Sequence, residues 1–302
     1  MDTFLADESI TPPIKRHGGK HYLAKRIIAL MPPHTHYVEP FFGAGGVLLQ
    51  KNPEGVSEVI NDIDGELICF WRALQSEEQF AQFKRRVEAT PFSQQLFEDS
   101  LATDGASIAD PIERAVRFFI LARQSRQGIG RSFATLSRQR TRRGMNEQVS
   151  SWLGAIEGLP EVHERFKRIA ILNDDAVNVI RQQDDKCTLF YCDPPYVHAT
   201  RTTIKAYNCE MNDSQHQALL DQLAAIEGKF ILSGYGCQLY NEWAQRHGFH
   251  RVDIAIDNKA SRAKTKEIKL ESLWMNFQPD PEKTAAATDT SAKSRLFADD
   301  GD

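Results

Sequence analysis

The run Cys187-Thr188-Leu189-Phe190-Tyr191-Cys192 ends abruptly at Asp193-Pro194-Pro195-Tyr196. A buried strand that stops at an acid, two prolines and an aromatic places a rigid polar mouth at a sheet edge. The prolines fix the local backbone and remove two N–H donors, so nearby carbonyls stay free to accept hydrogen bonds. Asp193 and the Pro194 carbonyl are acceptors for an exocyclic amine, and Tyr196 offers a flat face for a planar base. As a bare tetrapeptide the motif also serves simply to end a strand.

A second group of residues describes a nucleotide-type pocket. Tyr37-Val38-Glu39-Pro40 reads as a short strand, Phe41-Phe42-Gly43-Ala44-Gly45-Gly46 as a Gly-rich turn, and Val47-Leu48-Leu49 as the opening of a helix. Val56 to Asn61 is a second strand, and Asp62 follows it, 17 residues beyond Gly45. Glycines in such a turn permit close approach by a ligand, and an acid at the end of the next strand accepts from ribose hydroxyls. Leu48 stands where the dinucleotide fingerprint carries its third glycine, which weakens a pyrophosphate-bearing cofactor. S-adenosylmethionine, cationic and free of phosphate, loses nothing by that departure. Asp174-Asp175 follows the strand Ile169–Leu172. Asp174 is a candidate acceptor for the cofactor's adenine amino group, and capping of the helix from Ala176 is an equal reading.

These residues need a scaffold, and the hydrophobic pattern supplies one. Beyond the first two strands, Gly65 to Leu74 reads as a helix. Alternation resumes at Arg168 with strands at Ile169–Leu172, Thr188–Cys192 and Lys229–Ser233 and helices at Ala176–Gln183 and Gln238–His247, with a helix capped by Asp213 between. Strands alternating with helices predict a Rossmann-like α/β fold, a mostly parallel sheet covered on both faces. His250–Asp257 and Lys269–Phe277, with no helix between them, predict one antiparallel edge strand. The region 75–165 carries helical periodicity only, so it reads as an inserted, mainly helical domain within a discontinuous catalytic domain of 10–74 and 166–278. The tail 279–302, rich in Ala, Thr, Ser and Asp, is expected to be disordered.

The 302 residues are 41% hydrophobic and 26% charged, a composition that allows a full core. No apolar stretch is long enough to span a bilayer, and the acidic N-terminus lacks the layout of a signal peptide, so a cytoplasmic protein is expected. Five cysteines without ligand spacing argue against a disulfide framework, and neither they nor the histidines suggest a metal. Oligomeric state is left open. The net charge of −4 hides an asymmetry: from Arg114 to Arg143 there are nine arginines and no acid. A single-sign arginine field interleaved with Gln, Ser, Thr and Gly suits a polyanion. Within it Arg123, Arg126, Gln127, Arg131, Arg138 and Arg140 are the candidate nucleic-acid contacts. The loop carrying Lys264 and Lys266 is a second candidate surface, with a solvated hairpin as the alternative.

Arg16-His17-Gly18-Gly19-Lys20, Glu39-Pro40-Phe41-Phe42-Gly43-Ala44-Gly45, Asn61-Asp62-Ile63-Asp64 and Asp193-Pro194-Pro195-Tyr196 occur in the order seen in Dam-type DNA adenine-N6 methyltransferases. From about Ile14 to Phe277 the chain resembles that family. The resemblance implies that Lys20 lies at the cofactor pocket, that Phe42 to Gly45 wrap the methionine part of S-adenosylmethionine, and that Asp62 binds its ribose. It implies that Asp193 to Tyr196 hold the target amine and stack a flipped adenine of double-stranded DNA. Arg123, Gln127, Gly128 and Arg131 resemble the family's recognition hairpin, where the last arginine reads a guanine. Relatives often carry an aromatic just before Gly-Gly-Lys; here Arg16 and His17 stand there. Tyr207 and Asn208 are candidates to close over the base. Asp193, where serine would point to cytosine N4, favours adenine. Transfer to cytosine N4 or RNA, and a DNA-binding protein with a vestigial site, are the alternatives.

Overall fold

The computed structural model describes residues 9–16, 19–197, 209–257 and 268–288. Each strand of the parallel part is short and apolar on both faces. Strand β6 (Thr188–Cys192) is buried at every position, with Leu189 and Tyr191 in one hydrophobic cluster and Phe190 and Cys192 in the other. That division is the period-2 alternation of a strand covered on both sides. The other parallel strands are β1 (His36–Glu39), β2 (Ser57–Asn61), β5 (Ile169–Leu172) and β7 (Lys229–Gly234), and the parallel order is β5-β2-β1-β6-β7. The antiparallel strand expected towards the edge is β9 (Ile268–Met275). It pairs with β7 on one side and with β8 (His250–Asp257), the outermost strand, on the other.

Helices α8 (Ala176–Gln183), α9 (Asp213–Ala225) and α10 (Gln238–His247) cover one face through Val179, Leu219, Leu223 and Trp243. Helix α9 is capped by Asn212 through a capping box with Gln215, one residue before the expected Asp213. Helices α1 (Ala24–Ala29) and α2 (Gly65–Gln75) cover the other face. Asp64 caps α2, accepting from the backbone N–H groups of Glu66 and Leu67. After the Gly-rich turn the chain makes a single 3₁₀ turn, Leu48–Gln50, in place of the helix expected from Val47. Pro53 accounts for this, because a continuing helix would set its ring against the Leu49 carbonyl.

The chain leaves this framework after α2 and returns at β5. Between lie α3 (Glu77–Glu88), α4 (Gln94–Ala102), α5 (Pro111–Gln124), α6 (Glu147–Glu157) and α7 (Leu159–Phe166), with a two-residue hairpin, β3 (Thr141–Arg142) and β4 (Met145–Asn146). Arg143 and Gly144 turn that hairpin at positive φ (55° and 73°), the backbone pattern of a tight hairpin turn. Much of the insert's apolar surface joins the core of the sheet. Phe83, Phe119 and Phe166 belong to the same cluster as Phe70 and Trp71 of α2, and Phe70 stacks on Phe119 at 5.9 Å. Its last helix is also tied to the sheet by charge. Arg165 of α7 reaches Glu58 of β2 at 2.5 Å and Lys51 reaches it at 3.2 Å, with Lys51 fully buried.

The expectation of disorder from 279 onward is corrected for its first part. Pro281–Thr288 forms helix α11, with Ala287 buried against α1 and β8. Proline at the first position and the alanine run favour a helix. Arg26 of α1 also donates to the carbonyls of Ala287 and Ala255, the latter at 3.3 Å. Among the described residues no helix is long and apolar enough to cross a membrane.

Glu58→Ala would leave two buried cations without their shared carboxylate. Denaturant unfolding is expected to show a loss of about 3–5 kcal/mol; a loss below about 1 kcal/mol would remove this triad as the clamp between insert and sheet.

Candidate active site

The loops that follow β1, β2, β5 and β6 all leave the sheet at its carboxyl edge, where they enclose a cavity of about 400 Å³. Asn61, at the end of β2, locks three of them together. Its side chain donates to the carbonyls of Pro40 and Asp174 and accepts from the Asp174 N–H, at 2.9 to 3.0 Å. The Gly-rich turn is held from below. Trp71 Nε1–H donates to the Gly43 carbonyl at 3.2 Å, and the Trp71 ring stacks on Phe166 and meets Phe42 edge-on. Gly43 and Gly45 have φ of 55° and 71°, and a Cβ on Gly45 would lie 2.6 Å from the Phe42 ring, so the turn needs glycine there.

The cavity brings together Lys20, Phe42, Gly43, Ala44, Asp62, Asp193 and Pro195. Both Asp62 oxygens accept backbone bonds at 3.0 Å, from Gly43 and from Asp64, and burial raises its carboxyl above the ordinary value. Gly45, Asp174, Pro194 and Tyr196 stand outside the lining. Within the acid pair, Asp174 is engaged by the neighbouring backbone. Its Oδ1 accepts from the Asp175 N–H at 2.7 Å, while Asp175, the cap of α8, faces the cavity.

At the inner wall Lys20 donates to both oxygens of Asp193, at 2.8 and 3.0 Å, and to the Tyr196 hydroxyl at 2.5 Å. Burial opposes the charge on Lys20, but Asp193 and Glu271 override it and hold the ammonium's pKa well above its usual value. Burial pushes the Asp193 carboxyl up to about 6 against the pull of Lys20, and Glu271 adds to the rise. Tyr196 is itself buried, its ring packed against Tyr235 at 4.5 Å. Cys192 is fully buried, and burial raises its thiol far from ionisation, which suits packing and not nucleophilic chemistry.

Several residues at this site lie beyond the expected cofactor contacts. Glu39 lines the cavity and accepts from the Tyr37 hydroxyl at 2.8 Å, while burial pushes its pKa up to about 8. Arg16, where an aromatic was expected, pairs with Asp64 at 3.0 Å and so ties the segment before Lys20 to the cap of α2. Glu210 and Met211 close the side towards α9. The lining holds six acids (Glu39, Asp62, Asp64, Asp175, Asp193 and Glu210) against two bases, Arg16 and Lys20. Even with Glu39 neutral, the wall carries excess negative charge. It fits a cationic ligand and repels a pyrophosphate.

The arginine field divides. Arg123 departs from its expected role at a DNA surface: it is 9% exposed, and its guanidinium donates inward to the carbonyl and hydroxyl of Ser151. Burial lowers its pKa to about 10. The reason is its position on the last turn of α5, facing α6. Arg114 and Arg117 are committed to Glu66, and Arg143 forms a two-pronged pair with Glu157 at 2.8 Å. Arg126, Gln127, Arg131, Arg138 and Arg140 are exposed. Gln127 sits at φ 58°. Lys264, Lys266, Tyr207, Asn208 and His17 lie outside the described residues.

Comparison with known proteins bears on this geometry. The chain is 24% identical over 274 residues to a DNA adenine methylase of Salmonella typhi, covering 88% of this chain and 95% of that protein. It is 26% identical over 269 residues to a DNA adenine methylase of Escherichia coli (strain K12), covering 84% and 92%. It is also 24% identical over 194 residues to a DNA N-6-adenine-methyltransferase of Escherichia phage P1, covering 59% and 23%. The family model for D12 class N6 adenine-specific DNA methyltransferases matches residues 17–256, a span that runs from the Lys20 segment through the acid-lined cavity and the helical insert to β8. This chain therefore belongs to the D12 class of N6 adenine-specific DNA methyltransferases.

Proposed function

We propose that the acid-lined cavity binds S-adenosylmethionine and that Asp193 presents to it the N6 amine of an adenine flipped out of double-stranded DNA. The observation that carries this reading is the position of Asp193, which shares a wall with the cavity and contacts the Lys20–Tyr196 pair. Excess negative charge at that wall supports a sulfonium ligand. Asp62 keeps lone pairs on both oxygens for the ribose hydroxyls. Asp175 takes the place expected of Asp174 at the cofactor's adenine, Phe42 to Ala44 flank the methionine part, and Gly45 shapes the turn.

S-adenosylmethionine supplies, when bound, a methyl group whose S–C bond breaks with both electrons left on sulfur. Asp193 and the Pro194 carbonyl accept the two N6 hydrogens, which turns the nitrogen lone pair towards the methyl group. As the new N–C bond forms, one N6 proton leaves to Asp193 and from there to solvent. The gain comes from positioning and from fixed dipoles in a dry site. A stacked adenine cannot bring N6 to this depth, so the base leaves the duplex and packs at Tyr196 and Tyr235. The exposed arginines Arg126, Arg131, Arg138 and Arg140, with Gln127, form the DNA face, where their guanidinium forks match phosphates and guanine edges.

Asp193→Ala is expected to abolish transfer of labelled methyl to unmethylated DNA while duplex binding persists in a mobility shift; retained transfer would remove this aspartate from the mechanism. Because Asp193 accepts hydrogen bonds only through lone pairs that protonation consumes, single-turnover transfer should fall as pH drops through about 6. A rate that stays flat down to about pH 5 would show that the ionised carboxylate is not needed. At the DNA face, Arg131→Ala should relax sequence preference more than total affinity, whereas Arg138→Ala should weaken all sequences alike and lower the salt slope by about 1. Competition binding across a randomised site library reads both, and a uniform loss for Arg131→Ala would make it a phosphate contact.

A further inference from the structure

One buried charge next to the site has no part in the mechanism above. Glu271 lies on β9, where the antiparallel register sets Ser272 opposite Gly234. The reversed strand direction therefore brings Glu271 to the carboxyl edge of the sheet, although it lies near the start of its own strand. It is 1% exposed. A carboxylate at that depth needs donors and a countercharge. Ser233 Oγ–H donates to it at 2.6 Å, Tyr196 O–H reaches its two oxygens at 2.8 and 3.0 Å, and the Lys20 ammonium stands 3.5 Å away. Lys20 meanwhile holds both oxygens of Asp193. One ammonium is thus shared by two carboxylates, and the Tyr196 hydroxyl accepts from Lys20 while donating to Glu271.

This arrangement resolves a conflict at Asp193. The Lys20 ammonium clamps both Asp193 oxygens and draws negative charge from the lone pairs that remain for the substrate amine, and an ammonium displaced from Asp193 without a second carboxylate nearby would sit in a dry site at high cost. Glu271 gives it a second seat within the same network. We infer that Glu271 is a positioning residue for methyl transfer, receiving the Lys20 ammonium as the adenine amine takes over Asp193 and holding the Tyr196 hydroxyl throughout. The inference rests on Asp193 being the acceptor of the amine.

The test compares wild type, Glu271→Gln, Glu271→Asp, Lys20→Met and the Lys20→Met/Glu271→Gln double variant. Single-turnover transfer to unmethylated DNA is measured beside S-adenosylmethionine binding by calorimetry. Glutamine keeps the shape and the acceptor oxygen but not the charge. Its transfer rate should fall by about 30-fold or more, with the cofactor Kd changed less than about threefold. The double variant should be no slower than Lys20→Met alone, because Glu271 acts through Lys20. A Glu271→Gln rate within about twofold of wild type, or a double variant showing the product of the single losses, overturns the assignment. Should Glu271→Gln fail to bind cofactor, Glu271→Asp decides: it keeps the charge and should transfer within about tenfold of wild type, and a rate as low as that of Lys20→Met overturns the assignment. Wild type that binds cofactor yet labels no adenine overturns the parent reading and this one with it, whereas an active wild type beside an equally active Glu271→Gln overturns this one alone.

Discussion

Parallel pairing is the constraint from which the rest of this structure follows. Ladder hydrogen bonds hold β5, β2, β1, β6 and β7 in one direction, so the residues that end those strands must emerge together at one edge. Glu39, Asn61, Leu172, Cys192 and Gly234 are those ends. Residues far apart in the chain become neighbours there because no other placement keeps the backbone paired. The register is protected by burial on both faces, where a slip of one residue would exchange the two hydrophobic sets.

What the edge gathers is mostly acid, and like charges in a confined space repel. The structure limits that repulsion in three ways. Glu39 is buried deeply enough to hold its proton near neutral pH. Asp62 and Asp64 are bound by backbone N–H groups, and Arg16 adds a countercharge at Asp64. Lys20 sits between Asp193 and Glu271. The charge left over is the kind that a sulfonium would offset.

The helical insert is mechanically part of this site. Trp71 joins the Gly43 carbonyl to Phe166, and Glu58 joins β2 to α7. At Gly128, where φ is 70°, a Cβ would lie 2.3 Å from the Lys15 carbonyl, so the loop after α5 lies against the segment that leads to Lys20. Arg123 and Lys15 both bond to Ser151. The loop after α5 and helix α6 therefore pack against the Lys15 segment.

Much of this was legible in the amino-acid order. Alternation and caps are local, so the strand Thr188–Cys192, the helix Ala176–Gln183 and the helix Gln238–His247 are recoverable from side chains alone. The motif acids Asp62 and Asp193 are marked by the strand ends and turns beside them. Tertiary structure decided what has no local signal. Arg123 looks like its neighbours in sequence, yet the facing helix α6 buries it. Asp175, not Asp174, faces the cavity because capping fixes the first turn of α8. The alanine-rich tail, helix-prone by its own sequence, finds a surface for α11 on α1 and β8. Glu271 reaches Lys20 and Tyr196 solely through the antiparallel register of β9. Spacing along the chain reports periodicity and turns, whereas burial and charge pairing depend on which surfaces the fold brings into contact.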